Sequence, residues 1–246
     1  MESCAIIVPC YNEEHRFQTD EFEQFLDQDP TCRFVFVNDG SQDQTANVLG
    51  AFVERHPDRC QLLDLKQNVG KAEAVRQGIL QALQENPTYF GYWDADLATP
   101  LEAIPLLRNR LETQPELNMV FGSRVRLLGR TIERRAIRHY AGRVFATAAS
   151  LVLNLAIYDT QCGAKLFRNI PVVSEQFTDP FLTSWIFDVE IIARYGQTIP
   201  PEQLAQTIYE YPLQEWRDVA GSKVQFYDFF KAAWELRKIQ RTYRRK

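Results

Sequence analysis

YFGYWDADLATP, residues 89–100, begins as an apolar run of strand length and then places two aspartates one residue apart, Asp94 and Asp96. An unpaired carboxylate is costly to bury, so acids at the end of such a run call for a partner. Asp94 and Asp96 share parity on an ending strand, which lets both aim at one point. Hard divalent cations such as Mg2+ or Mn2+ take oxygen ligands, often only one or two carboxylates beside substrate phosphates. The plainer reading is a pair of solvated carboxylates at a strand end, and the pair alone does not separate the two.

Working outward, short apolar runs at 5–9 (AIIVP), 33–39 (RFVFVND), 60–65 (CQLLDL) and 118–124 (NMVFGSR) read as further strands. Between them lie helical patterns, among them KAEAVRQGILQALQEN with Ala72, Val75, Ile79, Ala82 and Leu83 on one face. Strands alternating with helices predict an α/β domain with a mostly parallel, Rossmann-like sheet flanked by helices. In such sheets ligands bind beyond the carboxyl ends of the strands. Those positions here carry CYNEE, NDGSQD, QNVGK, DADLATP and GSR. The second half loses the rhythm. Residues 133–157 read as one long helix, then come DTQCGAKLF, a helix near FDVEIIARYG, a strand LAQTIYEYPL and an amphipathic helix from about 224.

Composition narrows the possibilities. The 246 residues are 45% hydrophobic and 24% charged, which suits one large globular domain. The five cysteines (Cys4, Cys10, Cys32, Cys60, Cys162) are scattered and form no CxxC pair, which argues for a reducing compartment and against a disulfide scaffold or zinc site. No basic leader opens the sequence and no uncharged apolar run approaches roughly 18–20 residues, so neither a signal peptide nor a membrane-spanning helix is expected. The net charge of −4 conceals two basic islands. Residues 122–145 hold seven arginines against one glutamate, and 223–246 eight Lys and Arg against two acids. Basic islands on an acidic body point to anionic ligands or an anionic surface, not to nucleic acid.

Taken together, VPCYNEE, VNDGSQDQT, NVGKAEAVRQGI, DADLATP and FGSR resemble the nucleotide-sugar-binding half of the family 2 glycosyltransferases, which have the GT-A fold. DTQCGAKLF, WIFDVEII and EWRDVAGSK are similar to the branch that charges polyprenyl phosphates with a sugar, more like the dolichyl-phosphate β-glucosyltransferases than the mannose synthases. The resemblance covers about residues 5–225. It implies a GT-A domain over 1–225, with 226–246 as a C-terminal helix and basic tail of the same domain or in membrane contact. Asn38 stands where the family usually has a first aspartate, and Ala164 where an aromatic usually follows CG.

What the resemblance implies can be set out residue by residue. Asp94 and Asp96 would hold Mg2+ or Mn2+ on the donor diphosphate, and Asp96 would be needed for catalysis. Pro9, Tyr11 and Glu13 would line the nucleotide pocket, Asp39 would accept the base imino N–H, and Lys71 would sit near the nucleotide. Arg124, with Arg135 and Arg138 on the next helix, resembles the clamp for a lipid phosphate, a task that suits the planar guanidinium fork. Arg217, Ser222 and Lys223 resemble a loop that closes over the donor phosphates. Asp188 and Asp159 are candidate bases, with a structural role at least as well supported for each. Bland readings stand beside these: ordinary packing for Tyr11, a first-turn acid for Glu13, and a solvated basic face for Arg135 and Arg138.

The implied activity is inverting transfer of a hexose, glucose from UDP-glucose, to a polyprenyl or dolichyl phosphate or a similar anionic acceptor. The rivals are a family 2 transferase with a soluble or polysaccharide acceptor, and a nucleotide-sugar-binding protein without catalysis. The expected place is the cytoplasm or the inner face of a membrane. The C-terminal stretch carries Phe226, Phe229, Phe230 and Trp234 beside a basic tail, a pattern able to lie on an anionic bilayer. The alternative is that it packs on the domain. Oligomeric state is not legible.

Overall fold

The alternation of apolar runs and helical patterns produces, in the computed structural model, a seven-stranded sheet with helices on both faces. Residues 3–133, 136–219 and 227–244 are described, with backbone only for 136–141 and 227–230. The first half runs β1 (Cys4–Cys10), α1 (Thr19–Gln28), β2 (Cys32–Asp39), α2 (Thr45–Arg55), β3 (Cys60–Leu65), α3 (Lys71–Leu83), β4 (Tyr89–Trp93), α4 (Ala103–Thr113) and β5 (Met119–Ser123). There follow β6 (Thr131–Glu133), α5 (Ala136–Leu153), β7 (Ala164–Arg168), α6 (Pro171–Ser174) and a 3-10 turn at Glu175–Phe177. The chain closes with α7 (Phe187–Thr198), α8 (Pro201–Thr207), β8 (Ile208–Pro212), β9 (Glu215–Arg217) and α9 (Tyr227–Thr242).

Strand order is β3-β2-β1-β4-β7-β5-β8, with β7 alone running against the rest. The chain moves outward from β1 to β3, then returns to place β4 on the other side of β1. That reversal opens a crevice beyond the carboxyl ends of β1 and β4, where ligands bind in open α/β sheets. The WDAD stretch stands at its edge.

Both sheet faces are covered, so the central strands are continuously apolar and do not alternate. One face buries Ile6, Val8, Phe34 and Phe36 against Phe22, Leu49, Phe52 and Ile104 of α1, α2 and α4. The other buries Ile7, Val35, Phe90 and Tyr92 against Val75, Ile79, Ile191 and Tyr195 of α3 and α7. A third cluster joins Ala149 of α5, Val189 of α7 and Leu236 and Ile239 of α9. The Glu235 carboxylate of α9 accepts N–H bonds from Ser184, Trp185 and Ile186 at the entry to α7, at 3.0–3.2 Å.

The second half departs from the sequence expectations in specific ways. The helix expected over 133–157 spans Ala136–Leu153 and stops at Asn154, which takes the left-handed conformation (φ 49°) that asparagine tolerates. Residues 131–133 form β6, paired in parallel with β9; three residues carry no periodic signal. AKLFR is the antiparallel strand β7, and Lys165 in its interior breaks the apolar run that marks a central strand. The strand expected from LAQTIYEYPL is divided: Pro201 starts helix α8, as proline favours at a first turn, and only Ile208–Pro212 pair. Among the described residues no helix is long and apolar enough to cross a membrane.

Candidate active site

The crevice is built by lacing the strand-end loops together. After β1 the chain turns at Asn12 in a left-handed conformation (φ 55°). Its N–H donates to Ser41 Oγ at 3.0 Å and its Oδ1 accepts from Gln42 N at 2.9 Å. Glu13 N–H donates to Thr45 Oγ1 at 2.8 Å, and the Glu13 carboxylate pairs with Arg16 at 2.6 Å. Pro9 and Tyr11 lie half-buried on the same edge.

Asp39, at the end of β2, is buried. Its two carboxylate oxygens accept N–H bonds from Val69 (2.7 Å) and Gly70 (3.0 Å). Burial raises its pKa despite those two bonds. The carboxylate thereby fixes the loop before α3 and sets Lys71 as the first residue of that helix. Asn38 fits as it stands: its Nδ2 donates to Asp64 Oδ1 at 2.6 Å, and an aspartate in its place would face that carboxylate unpaired. Gly40 is required by geometry, with φ at 59° and room for a Cβ only 2.3 Å from the Gln67 backbone carbon.

Trp93 anchors the acidic turn by donating from Nε1 to Thr99 O at 2.7 Å while wholly buried. Leu97, inside the turn, has φ 48°, a strained conformation for a non-glycine residue of the kind held at functional sites. Asp96 Oδ1 accepts the Ala98 N–H at 3.1 Å. Asp94 Oδ1 is 2.5 Å from Lys71 Nζ, and Asp94 N–H donates to Gly163 O at 2.9 Å. Burial lowers the Lys71 pKa, but Asp94, Asp188 and Asp96 together raise it by more, so the ammonium stays charged. A Cβ on Gly163 would lie 1.9 Å from Asp94 Oδ2. Gly163→Ala is therefore expected to drive the Asp94 carboxylate from its place and destabilise the fold by about 1–3 kcal/mol. Calorimetry with and without nucleotide and metal checks this; undiminished ligand stabilisation in that variant would show that the carboxylate's position is not needed.

Lys71, Asp94, Asp96 and Gly163 line a cavity of about 400 Å3. Along its wall Arg124 is locked to Asp159, Nε to Oδ2 at 2.6 Å and Nη2 to Oδ1 at 2.8 Å, with its guanidinium over the Trp216 ring at 5.3 Å. Burial lowers the Arg124 pKa, but Asp159 more than reverses that. Asp188 accepts from the Tyr92 hydroxyl and pairs with Lys165 Nζ at 2.6 Å, both partners being fully buried. Burial and the Asp188 charge hold the Tyr92 phenol well above its usual pKa, hence neutral. Phe145, Ala146, Trp185, Phe187 and Ala232 add an apolar part to the lining.

Of the residues singled out from sequence, Lys71, Asp94, Asp96, Arg124, Asp159 and Asp188 meet in this cavity. Pro9, Tyr11, Glu13 and Asp39 stand on the adjoining strand ends. Arg217 is turned to solvent and paired with Glu215 at 2.6 Å, whereas its neighbours Trp216 and Asp218 line the cavity. Arg135, Ser222 and Lys223 lie outside the described residues, as does the side chain of Arg138 on α5.

Sequence reasoning missed Arg143, Tyr158 and Thr160. Arg143 stacks over the Tyr158 ring at 3.7 Å and donates from Nη1 to Tyr158 O at 3.0 Å. Glu210 on β8 holds this segment by accepting the Tyr158 and Asp159 N–H groups, each at 2.7 Å. Thr160 Oγ1 is buried at the cavity wall with no hydrogen-bond partner among the described residues. Arg143 belonged visibly to the basic island, but only the tertiary contact separates it from the other six arginines. Cys162, near the same wall, is buried, and burial pushes its thiol up to about 11.

The described residues contain no group of three or more His, Cys, Asp or Glu side chains able to hold a metal. A divalent ion that takes most of its ligands from water and diphosphate needs less. Asp94 and Asp96, half-buried on one turn with Gly163 leaving room for the first, fit that requirement.

Residues 5–174 match the family model described as glycosyl transferase family 2. Dolichyl-phosphate beta-glucosyltransferase of Homo sapiens is 30% identical over 256 residues, covering 97% of this chain and 75% of that protein. The enzyme of the same name from Drosophila melanogaster is 32% identical over 238 residues, covering 89% and 68%. Among solved structures, glucosyl-3-phosphoglycerate synthase from Mycobacterium tuberculosis with Mn2+, uridine diphosphate and glucosyl-3-phosphoglycerate superposes with a TM-score of 0.69 at 14% identity, covering 98% of this chain and 80% of that one. A Pyrobaculum calidifontis mannosyltransferase with GDP-Man and Mn2+ gives 0.66 at 16% identity, covering 100% and 65%.

Proposed function

The chain belongs to glycosyl transferase family 2 and has the GT-A fold, and from that premise we propose that it transfers glucose from UDP-glucose to a polyprenyl phosphate of the dolichyl type. The observation that carries the reading is the mixed lining of the cavity, acidic, basic and apolar. Its lining brings together Lys71, Asp94 and Asp96, the cations Arg124 and Arg143, and the apolar Phe145, Trp185 and Ala232. An acceptor with an anionic head and an apolar tail matches that combination of surfaces. The named activity of the relatives at about 30% identity supports glucosyl transfer to dolichyl phosphate.

Asp94 and Asp96 would hold Mg2+ or Mn2+, which supplies Lewis-acid neutralisation of the departing diphosphate. Lys71 adds a fixed positive charge beside it. The acceptor is a phosphate monoester with a second pKa near about 6, so at neutral pH it is already an anionic nucleophile. Transfer is then one displacement: a phosphate oxygen bonds to the anomeric carbon as the carbon–oxygen bond to the diphosphate breaks, with inversion. Positioning and charge neutralisation supply most of the rate. Among the described residues Arg143 uses only Nη1, which leaves its other donors for the acceptor phosphate. Asp159 and Asp188, each held by a cation, serve as positioning groups and not as the base.

Thermal unfolding with nucleoside diphosphates and either metal tests the donor. UDP with Mg2+ or Mn2+ at about a hundredfold over its Kd should stabilise by about 2.7 kcal/mol. Stabilisation by GDP and not UDP overturns the donor. Transfer to a soluble acceptor in preference to a polyprenyl phosphate overturns the acceptor, and UDP-glucose binding without turnover on any acceptor overturns catalysis.

A further inference from the structure

We propose that the outward faces of α5 and α9 form a docking surface for an anionic bilayer. Val144 and Leu151, two turns apart on α5, are 73% and 78% exposed, and Trp234 on α9 is 65% exposed. Residues so apolar and so exposed on adjoining helices need a partner. Between the helices runs a groove whose floor is Ala148, Val152 and Leu236 and whose rim is Arg237, Arg241 and Arg244.

The charge on this face selects the partner. Helix α5 contains no acid at all. Helix α9 has two acids: Glu235 is buried and spent on the backbone at the start of α7, and the side chain of Asp228 lies outside the described residues. Arginines beside exposed aromatic and aliphatic groups, with no exposed acid among the described side chains, match phosphate headgroups above an acyl layer. Lys238 sets its ammonium over the Trp234 ring at 5.6 Å, the apolar–basic pairing that suits a headgroup boundary.

The same two helices have their other sides in the catalytic cavity, through Arg143, Phe145 and Ala146 of α5 and Ala232 of α9. The surface itself follows from exposure and charge, and stands whether or not the acceptor is a lipid.

Vesicle flotation of the full chain tests it, using phosphatidylcholine alone or mixed with phosphatidylglycerol, at low and high salt. The protein should float with the anionic vesicles at low salt, be released by high salt, and ignore phosphatidylcholine alone. Each basic residue near an anionic surface changes partitioning about fivefold, so Arg237→Glu with Arg241→Glu should weaken binding more than about 25-fold. Trp234→Ser with Leu151→Ser should weaken it at any salt. Stabilisation by UDP and metal, retained in every variant, shows that they fold and keeps this test separate from that of the donor. No flotation at low salt overturns the proposal, as does unchanged binding by the charge-reversed variant. So does a concentration-dependent dimer, seen without vesicles and abolished by the same substitutions, because the surface then serves a second copy.

Discussion

Asp96→Asn lowers glucose transfer by at least about 10²–10³-fold, the scale on which a single preorganised charge acts in a transition state, while the folded protein loses no stability. The two halves have one cause. Burial, with Asp94 beside it, raises the Asp96 pKa above the ordinary aspartate value, and Lys71 and Arg16 offset only part of this. A carboxyl whose folded pKa exceeds its unfolded one costs stability as pH rises through that interval, and the full cost is present above it. At neutral pH the fold therefore carries an ionised group it would shed on stability grounds. Asparagine keeps an oxygen for the Ala98 N–H and removes the charge, so the melting temperature of the free protein should equal or exceed wild type. Stabilisation by UDP and metal should disappear. An Asp96→Asn enzyme retaining a tenth of the wild-type rate would sink the metal role.

Asp188→Ala acts in the opposite sense. It strands the ammonium of Lys165, which is wholly inaccessible between the rings of Tyr92 and Phe121 and, among the described residues, keeps only Cys162 O, at 2.5 Å, as acceptor. Breaking a buried pair by removing one partner costs about 3–5 kcal/mol, because the other charge stays behind. For a chain of this size that lowers the melting temperature by roughly 6–20 °C. Asp188→Leu combined with Lys165→Met, which removes both charges, should recover most of the loss, since an apolar replacement of a buried pair is often neutral. Calorimetry of the three proteins measures this directly. If Asp188→Ala melts like wild type but no longer transfers sugar, the carboxylate works on the substrate and its positioning role is wrong.

The first half of the fold was legible because both sheet faces are covered, which writes each strand as an uninterrupted apolar run closed by polar residues. AIIVP, RFVFVND and YFGYW all became strands of one parallel set. The acidic pair and Lys71 were legible as strand-end residues, and they meet in space. β7 was hidden because Lys165 interrupts it, and the reason for that lysine, Asp188, lies in a distant helix. Gly163 read only as part of a motif; its physical cause is the Asp94 carboxylate, remote in sequence. The outward turn of Arg217 was likewise invisible, since a three-residue strand carries no parity signal.

The antiparallel strand β7 has a consequence for how the molecule is assembled. β4 and β5 do not touch as neighbours; each pairs with β7, which arrives only after α5. A chain ending at Ser123 would leave the flank of β4 unpaired, an adhesive edge of the kind that recruits foreign strands. The sheet cannot close until residue 168 has been made and threaded between two earlier strands, a non-local event of the sort that slows folding. The earlier and later parts of the sheet are thus joined through β7, and exchanging either part with a relative would mean transplanting the middle of the sheet.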